Sequence, residues 1–234
     1  MATTAVCKGS AQLCKIRIAR LDATCAFVEG ANQAATTSAI IRINSTPDYA
    51  PGDDFEMKNG CGILCVTLKT CDQLKRVNLA LELCLRDPAM IELLTGATVY
   101  SITDGPDTQI MGYSRRGVGA TCPDSISVEI WTKAVTVQNV CVPAVVGSNY
   151  LEAQWWRTVY PKATFTLGDV NYANELATLS LAGFGDSNPN FLNGPFNDVP
   201  VGITLDPTSP EHSFLDLVGP PAGECGYLTV PVQA

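Results

Sequence analysis

The hydrophobic pattern is clearest between residues 63 and 102. Residues 63–68 alternate regularly, yet both alternating sets are largely apolar, which predicts a strand with two apolar faces. Over residues 77–86 a branched apolar residue occupies every second position, and small or polar residues lie between. A helix would scatter these side chains around its axis, whereas a strand places them on one buried face. They are Val77, Leu79, Leu81, Leu83 and Leu85.

The period changes after this strand, and the residues there indicate one short helix. Asp87 can accept hydrogen bonds from the free N–H groups of a first turn, and Pro88 needs no donor at the next position. Gly96 can adopt the left-handed conformation that ends a helix. The apolar residues between them are Met90, Ile91, Leu93 and Leu94. A strand over residues 97–102 is predicted to follow.

The remaining segments predict a mainly β protein of two packed antiparallel sheets, a β-sandwich or barrel, with this one short α-helix at its flank. Further strands are expected over residues 13–21, 38–44, 109–113, 125–136, 151–160, 163–167, 176–184 and 226–232. Pro161 and Lys162 suggest a hairpin turn between two of them. Residues 22–37 are predicted to be a loop or weak hairpin, and residues 103–123 a loop region around the 109–113 strand. Long loops are expected over residues 45–62, which are acidic, and over residues 185–200.

No repeat or linker divides the chain, so we predict a single domain over residues 1–234. Residues 1–12 are interpreted as an N-terminal arm and residues 201–234 as a C-terminal extension.

Composition and charge narrow the functional classes. Hydrophobic residues make up 46% and charged residues 16% of the 234 residues, as expected for a chain with a real core. The net charge of −8 makes strong binding to nucleic-acid phosphates implausible. The sequence has no 18-residue apolar span, so no membrane crossing is expected. Its N-terminus lacks the apolar run of a secretory signal, so synthesis and folding in a cytoplasm are expected.

Ten cysteines leave three interpretations open. They are buried free thiols, disulfides formed after a particle leaves the cytoplasm, or a metal site. A zinc site could involve Cys61, Cys65 and Cys71 with Cys84, but the spacing lacks the paired C-x2-C ligands typical of zinc. No cofactor is expected.

The chemistry of an active site is hard to find in this sequence. Neither the nucleophile elbow G-x-S-x-G nor the phosphate loop G-x-x-x-x-G-K-[ST] occurs. The single histidine, His212, lies among prolines and is interpreted as a loop residue. The carboxylates of Asp53, Asp54 and Glu56 could serve a glycosidase, but a solvated acidic loop is the favoured interpretation. The sequence therefore predicts that the protein is not an enzyme.

Several segments resemble one family. These are GDDFEMKNGCG, LKTCDQLKRVNLALELCLRDPAMIELLTG, SVEIWTK, WWRTVYPKATFTLGD and GFGDSNPNFLNGPFND, which fall within about residues 38–200. Together they resemble the major tail (tail tube) proteins of long-tailed, non-contractile bacteriophages. The resemblance implies a β-sandwich or barrel with one flanking helix, assembled into stacked rings of six through which DNA passes to the host.

The resemblance also implies partners and contact residues. The homo-oligomer would meet other tail proteins (tape measure, terminator and distal tail proteins), touch DNA only transiently, and reside in the virion tail after assembly in the host cytoplasm. Inter-subunit contacts are expected at Asp53, Asp54, Phe55, Glu56, Phe191 and Phe196. Glu82 and Glu129 are predicted to face the lumen, where negative charge would keep DNA from adhering.

Two alternatives remain open at this point. One is another ring or accessory protein of the same particle: a tail terminator, a head–tail connector or a capsid-associated protein. The other is a soluble β-sandwich ligand-binding domain, for which Trp155 and Trp156 could bind carbohydrate. Adjacent residues on a strand point to opposite faces, so one of these tryptophans is expected in the core and the other at a rim or interface.

Overall fold

Strands dominate the fold of this protein, as the sequence predicts. The structure is a computed structural model that describes residues 8–104, 107–135, 154–170 and 178–232. The strands are β1 (Gly9–Arg20), β2 (Gly30–Thr37), β3 (Ile40–Ala50), β4 (Asp54–Lys58), β5 (Leu64–Lys69), β6 (Gln73–Leu83), β7 (Thr98–Asp104), β8 (Asp107–Ser114), β9 (Ile126–Val135), β10 (Trp155–Val170), β11 (Leu179–Asp186), β12 (His212–Asp216) and β13 (Cys225–Val230). The helix α1 spans Pro88–Thr95.

One large antiparallel sheet forms the body. Its strands follow the order β13-β2-β1-β9-β10-β11-β6-β3, and β12 pairs with β10 beside this path. The sheet bends until β3, which four strands separate from β1 in this order, approaches β1 again. This curvature gives the layered arrangement of a sandwich or open barrel. The pairs β4–β5 and β7–β8 form two separate two-stranded sheets.

The main core fills the concave side of the sheet. Alternate residues of β1, β6, β9, β10 and β11 point inward and pack against the apolar side of α1. Asp87 caps the helix by accepting hydrogen bonds from the N–H groups of Ala89 and Met90, and Gly96 ends it at φ 64°. The predicted helix and both of its end signals are confirmed. Leu85 is the exception to the predicted buried row, because β6 ends at Leu83 and leaves Leu85 exposed.

A smaller second core lies on the convex side of the sheet. Val159 and Phe214 from the sheet meet Phe191 and Val199 from the long loop after β11. Most of the predicted loop, residues 187–200, is therefore a loop in the structure, but one that is folded onto its own sheet. Residues 201–232 contribute the strands β12 and β13, so part of the expected C-terminal extension belongs to the sheet.

Other predicted boundaries are wrong, for identifiable reasons. Residues 30–37, expected in a loop or weak hairpin, form the full strand β2, whose small side chains give only a weak hydrophobic signal. Residues 9–12 belong to β1, and the rest of the expected N-terminal arm lies mostly outside the described residues. No hairpin occurs at Pro161, because β10 continues through it. The register between β10 and β9 shifts between Tyr160 and Ala163, and proline is tolerated at such a bulge.

The expected acidic loop over residues 45–62 is mostly strand. β3 continues to Ala50, and after a short connection the chain forms the hairpin β4–β5. Thr70 lies so close to Gly52 that a Cβ there would be 2.0 Å from its carbonyl oxygen, so only glycine fits. The turn is closed by Asn59, whose side-chain oxygen accepts hydrogen bonds from the N–H groups of Cys61 and Ile63. We call residues 51–72 the arm.

Candidate assembly surfaces

The arm has one apolar and one polar face. Phe55 lies opposite Leu68, and Met57 lies opposite Val66, so these four side chains share a face. Each is more than half exposed, with Met57 at 66%. The other face carries the pairs Asp54–Lys69, Glu56–Thr67 and Lys58–Leu64, so it is charged or polar apart from Leu64. A two-stranded hairpin with an uncovered apolar face is at best marginally stable in water, so this face is suited to cover or be covered by another surface.

The structure places the predicted contact residues of the arm on both of its faces. Asp53, Asp54, Phe55 and Glu56 are all exposed. Only Phe55 belongs to the apolar face, because its neighbours in the strand point the other way. Sequence reasoning missed Met57, Val66 and Leu68 as contact candidates. The strand predicted over residues 63–68, apolar on both faces, corresponds to β5, and every residue of β5 is exposed. The sequence feature that could have indicated this apolar face is the alternation of charged and apolar residues over 54–58 (DFEMK).

A second exposed apolar patch lies on the hairpin β7–β8. Tyr100, Ile102 and Met111 are each about 60% exposed. Met111 is the extra residue of a bulge, because the register moves from Tyr100 opposite Gly112 to Ser101 opposite Ile110. On the other side of this hairpin, Tyr113 packs against the main core and fixes the hairpin to the body.

A groove of about 800 Å³ begins beside Met111. Its walls come from the end of β8, the residues between β6 and α1, and the end of β10. The lining residues are Arg86, Pro88, Met111, Gly112, Tyr113, Arg115, Asp169 and Val170. Arg115 is held across it by donating a hydrogen bond of 2.8 Å to the carbonyl oxygen of Gly168. Two arginines and one aspartate are thus among the residues that line the groove.

The two predicted contact residues of the later loop are not at a free surface. Phe191 is only 2% exposed and packs edge-on against Phe27, with ring centroids 5.5 Å apart. Phe196 is half-buried beneath the guanidinium group of Arg17, which lies 4.1 Å from the ring centroid. Both anchor the loop to its own sheet, so the expected inter-subunit role of Phe191 is wrong and that of Phe196 is weakened. The sequence showed that the loop needed apolar packing, but not which surface supplied it.

Glu129 cannot face a lumen, because it is completely buried on the convex side of the sheet. Its carboxylate pairs with the guanidinium groups of Arg17 and Arg157 from the neighbouring strands β1 and β10. Asp198 of the long loop also pairs with both arginines, and Asp216 of β12 pairs with Arg157. Trp131 lies between the two arginines, 5.0 Å from each guanidinium carbon. We call these five charged residues the ion cluster.

Burial and ion pairing act in opposite directions on the pKa values of the carboxyl groups in this cluster. Burial acts to raise the pKa of Asp198, but Arg17 and Arg157 outweigh it and hold that pKa below its usual value. Burial dominates at Asp216 and raises its pKa. For Arg157, the carboxylates of Glu129 and Asp198 overcome burial and raise the pKa. Arg157 therefore remains charged, and the cluster acts as a fixed electrostatic connection between the loop and the sheet.

Glu82 lies on the solvent side of β6, where Arg42 of β3 pairs with it at 2.7 Å. The pair is partly exposed, so its net contribution to stability is small. Its predicted position in a lumen remains a prediction. The neighbouring strand β3 forms one border of the large sheet.

The two tryptophans point to opposite faces, as expected. Trp155 contacts Gly219, while Trp156 donates a hydrogen bond to the carbonyl oxygen of Lys8. Trp156 also lines a pocket of about 360 Å³ with Tyr160, Glu211 and several hydroxyl groups. Burial raises the pKa of Tyr160 to about 12, so its hydroxyl group stays protonated. Neither tryptophan is fully buried.

The cysteines in the described residues are free thiols. Cys61, Cys65, Cys71, Cys122 and Cys225 are exposed, which corrects the interpretation of buried thiols for these five. Cys7 and Cys141 lie outside the described residues. Within the same part of the chain, no group of three or more potential ligands is arranged to hold a metal ion. There too, no helix has the length and hydropathy that a membrane span requires.

Comparison with known proteins adds no identification. Neither a protein-family model nor a curated protein sequence matches this chain.

Proposed function

We propose that this protein is a structural subunit that assembles with copies of itself into stacked rings of six, forming the tail tube of a long-tailed, non-contractile bacteriophage. The apolar face of the arm is the observation that carries the proposal. Fully burying a side chain of this size contributes about 1.5–3 kcal/mol, and four of them share that face. Such a gain is available to the arm only through contact with another surface.

The shape of the sheet also supports assembly. β3 and β13 are its terminal strands, and such borders carry backbone groups that can pair with a further strand. Closing several copies into a ring removes these borders, whereas a head-to-tail contact that does not close makes a filament. A net charge of −8 on every copy gives the assembled wall a negative potential past which DNA can slide.

Electron microscopy and sedimentation of the purified protein test this function directly. Tubes or stacked rings that form as the concentration rises are the expected result. Single rings that never stack would favour the alternative ring proteins, a tail terminator or a head–tail connector. A monomer at every concentration would overturn the proposal.

The pocket beside Trp156 supports a second candidate, a ligand-binding module for neutral sugars. Aromatic rings with nearby hydroxyl and carboxylate groups are suited to a sugar, which has apolar ring faces and many hydroxyl groups. Titration with glucose, followed by tryptophan fluorescence, distinguishes this candidate. A saturable change that is lost in Trp156→Phe would support it, and the absence of any change would leave assembly as the function.

A further inference from the structure

The pocket beside Trp156 lies at one end of the main core, where two rows of inward-facing side chains change character. In β9, the buried Ile130 is followed two residues later by Thr132, which shares its face. In β10, the buried Tyr160 is preceded on the same face by Thr158 and Trp156. The rows that fill the core therefore continue into the wall of a polar pocket.

Hydroxyl groups dominate this wall. Five of the ten lining residues carry one: Ser10, Thr132, Thr158, Tyr160 and Ser213. The hydroxyl groups of Ser10 and Thr132 bond to each other, and either can be the donor. Those of Thr158 and Ser213 do the same at 3.1 Å. Because a hydroxyl proton rotates to suit its partner, each pair can offer a donor or an acceptor to a ligand that itself carries hydroxyl groups.

Glu211 gives the pocket a charged acceptor. Ser45 of β3 donates a hydrogen bond of 3.0 Å to Oε2 of Glu211, which orients the carboxylate. A carboxylate has about four acceptor positions on its two oxygens, so this bond uses only part of its capacity. Two neighbouring hydroxyl groups of a ligand match the two oxygens, and hydrogen bonds to a charged acceptor are stronger than those between neutral groups.

Apolar surface completes the pocket. Ile43 and Ile130 line it and belong to the main core. The ring of Trp156 is held by its hydrogen bond of 3.2 Å to the carbonyl oxygen of Lys8, and it offers a flat apolar surface on which a sugar ring can stack. The volume of about 360 Å³ is at the lower end of the roughly 300–1,000 Å³ that ligand pockets occupy, so one small ring fits it.

We infer that the pocket beside Trp156 binds one monosaccharide ring at a time, and that further rings of a longer glycan stay outside it. The apolar face of the ring stacks on Trp156, and two neighbouring hydroxyl groups donate to Glu211. The serine and threonine hydroxyl groups of the wall bond to the other hydroxyl groups of the sugar. The inference rests on the second candidate function, and it adds the size of the ligand and the residues that recognise it.

Titration calorimetry with glucose, maltose and cyclohexanol tests the class of ligand. Glucose and maltose are expected to bind with dissociation constants within about threefold of each other, because only one ring enters the pocket. Cyclohexanol has a ring but no neighbouring pair of hydroxyl groups for Glu211, so no saturable binding is expected. Maltose binding more than about tenfold tighter than glucose, or cyclohexanol binding as tightly as glucose, overturns the inference.

Glu211→Gln tests the charged acceptor. The amide keeps the shape of the side chain but not its charge, so the dissociation constant for glucose is expected to rise about tenfold. Glu224→Gln is the matched control, because Glu224 also accepts a hydrogen bond from a serine hydroxyl group, that of Ser38, but does not line this pocket. It is expected to bind glucose like the unchanged protein.

Ser213→Ala provides a second, independent variant. Ser213 is exposed, and its loss removes one hydroxyl group from the wall of the pocket, so weaker glucose binding is expected without loss of the fold. Thermal unfolding of each variant shows whether the protein is intact.

The outcomes separate this inference from the function on which it rests. Glucose binding that is unchanged in Glu211→Gln and Ser213→Ala but lost in Trp156→Phe overturns the assigned contacts and leaves the sugar-binding function standing. The absence of saturable glucose binding by the unchanged protein overturns both.

Discussion

The Nη2 atom of Arg17 lies 2.8 Å from Oδ2 of Asp198, although 181 residues separate them in the chain. Arg157 also binds this carboxylate, and its Nη1 donates to the backbone carbonyl oxygen of Asp198 at 3.0 Å. Asp198 is therefore the point at which the long loop after β11 is attached to the centre of the sheet. The attachment covers Glu129 and keeps Phe191 in the second core.

Removing this attachment should destabilise the protein. Asp198→Asn removes one of the negative charges that neutralise two buried arginines. Breaking a buried ion pair costs about 3–5 kcal/mol. The side chain of Asp198 is 23% exposed, so we expect about 2 kcal/mol, measured by urea unfolding. Asp206→Asn is the control, because Asp206 is an exposed turn residue bonded only locally to Thr208. An equal loss in both variants would contradict the role of Asp198.

The cost of Asp198→Asn should depend on pH. The pKa of Asp198 is held below its usual value, so its charge stabilises the fold above the unfolded pKa of about 3.9. That contribution is lost as the pH falls through the lowered folded pKa. The difference in unfolding free energy between variant and unchanged protein is therefore largest near neutral pH and shrinks in acid. Urea unfolding over a pH series measures it.

Asp216 should show the opposite trend. Burial raises its pKa, so ionisation of Asp216 costs folding free energy once the pH rises through that raised value. Asp216→Asn avoids this cost and should become relatively less destabilising as the pH rises. Parallel pH dependence for Asp198→Asn and Asp216→Asn would contradict the opposite shifts of the two carboxyl groups.

The stability of helix α1 should depend on its N-terminal cap. Asp87→Ala removes the acceptor for two backbone N–H groups and should lower the free energy of unfolding by about 1 kcal/mol. Asp87→Ser retains an oxygen that can cap the same groups and should recover most of the loss. Thermal or urea unfolding compares them, and equal stability of both variants with the unchanged protein would show that the cap is dispensable.

The thiols should react in the order of their exposure. Brief treatment of the native monomer with iodoacetamide should modify the exposed Cys61, Cys65, Cys71, Cys122 and Cys225 before the half-buried Cys14, Cys25 and Cys84. Peptide mass spectrometry assigns each site. If assembly covers the arm, as the proposed function requires, it should slow the reaction at Cys65, which lies within the arm. Unchanged reactivity of Cys65 after assembly would place the arm in solvent.

The sequence by itself determined the parts of this fold that depend on neighbours in the chain. The period of two over residues 77–83 defined β6, and the signals at Asp87, Pro88 and Gly96 defined α1, because capping and strand alternation are local effects. A solvated position was also the favoured interpretation for Asp53, Asp54 and Glu56, and all three are exposed.

Only the tertiary structure decided which apolar and charged residues are covered. Residues 64–68 and residues 79–83 are comparably apolar, yet the former are exposed and the latter mostly buried, because only β6 belongs to the large sheet and turns its alternate residues into the main core. Glu129 looked like a surface acid until Arg17 and Arg157 were brought beside it by strand pairing. Burial depends on partners distant in the chain, so it arises from the packing of the whole sheet.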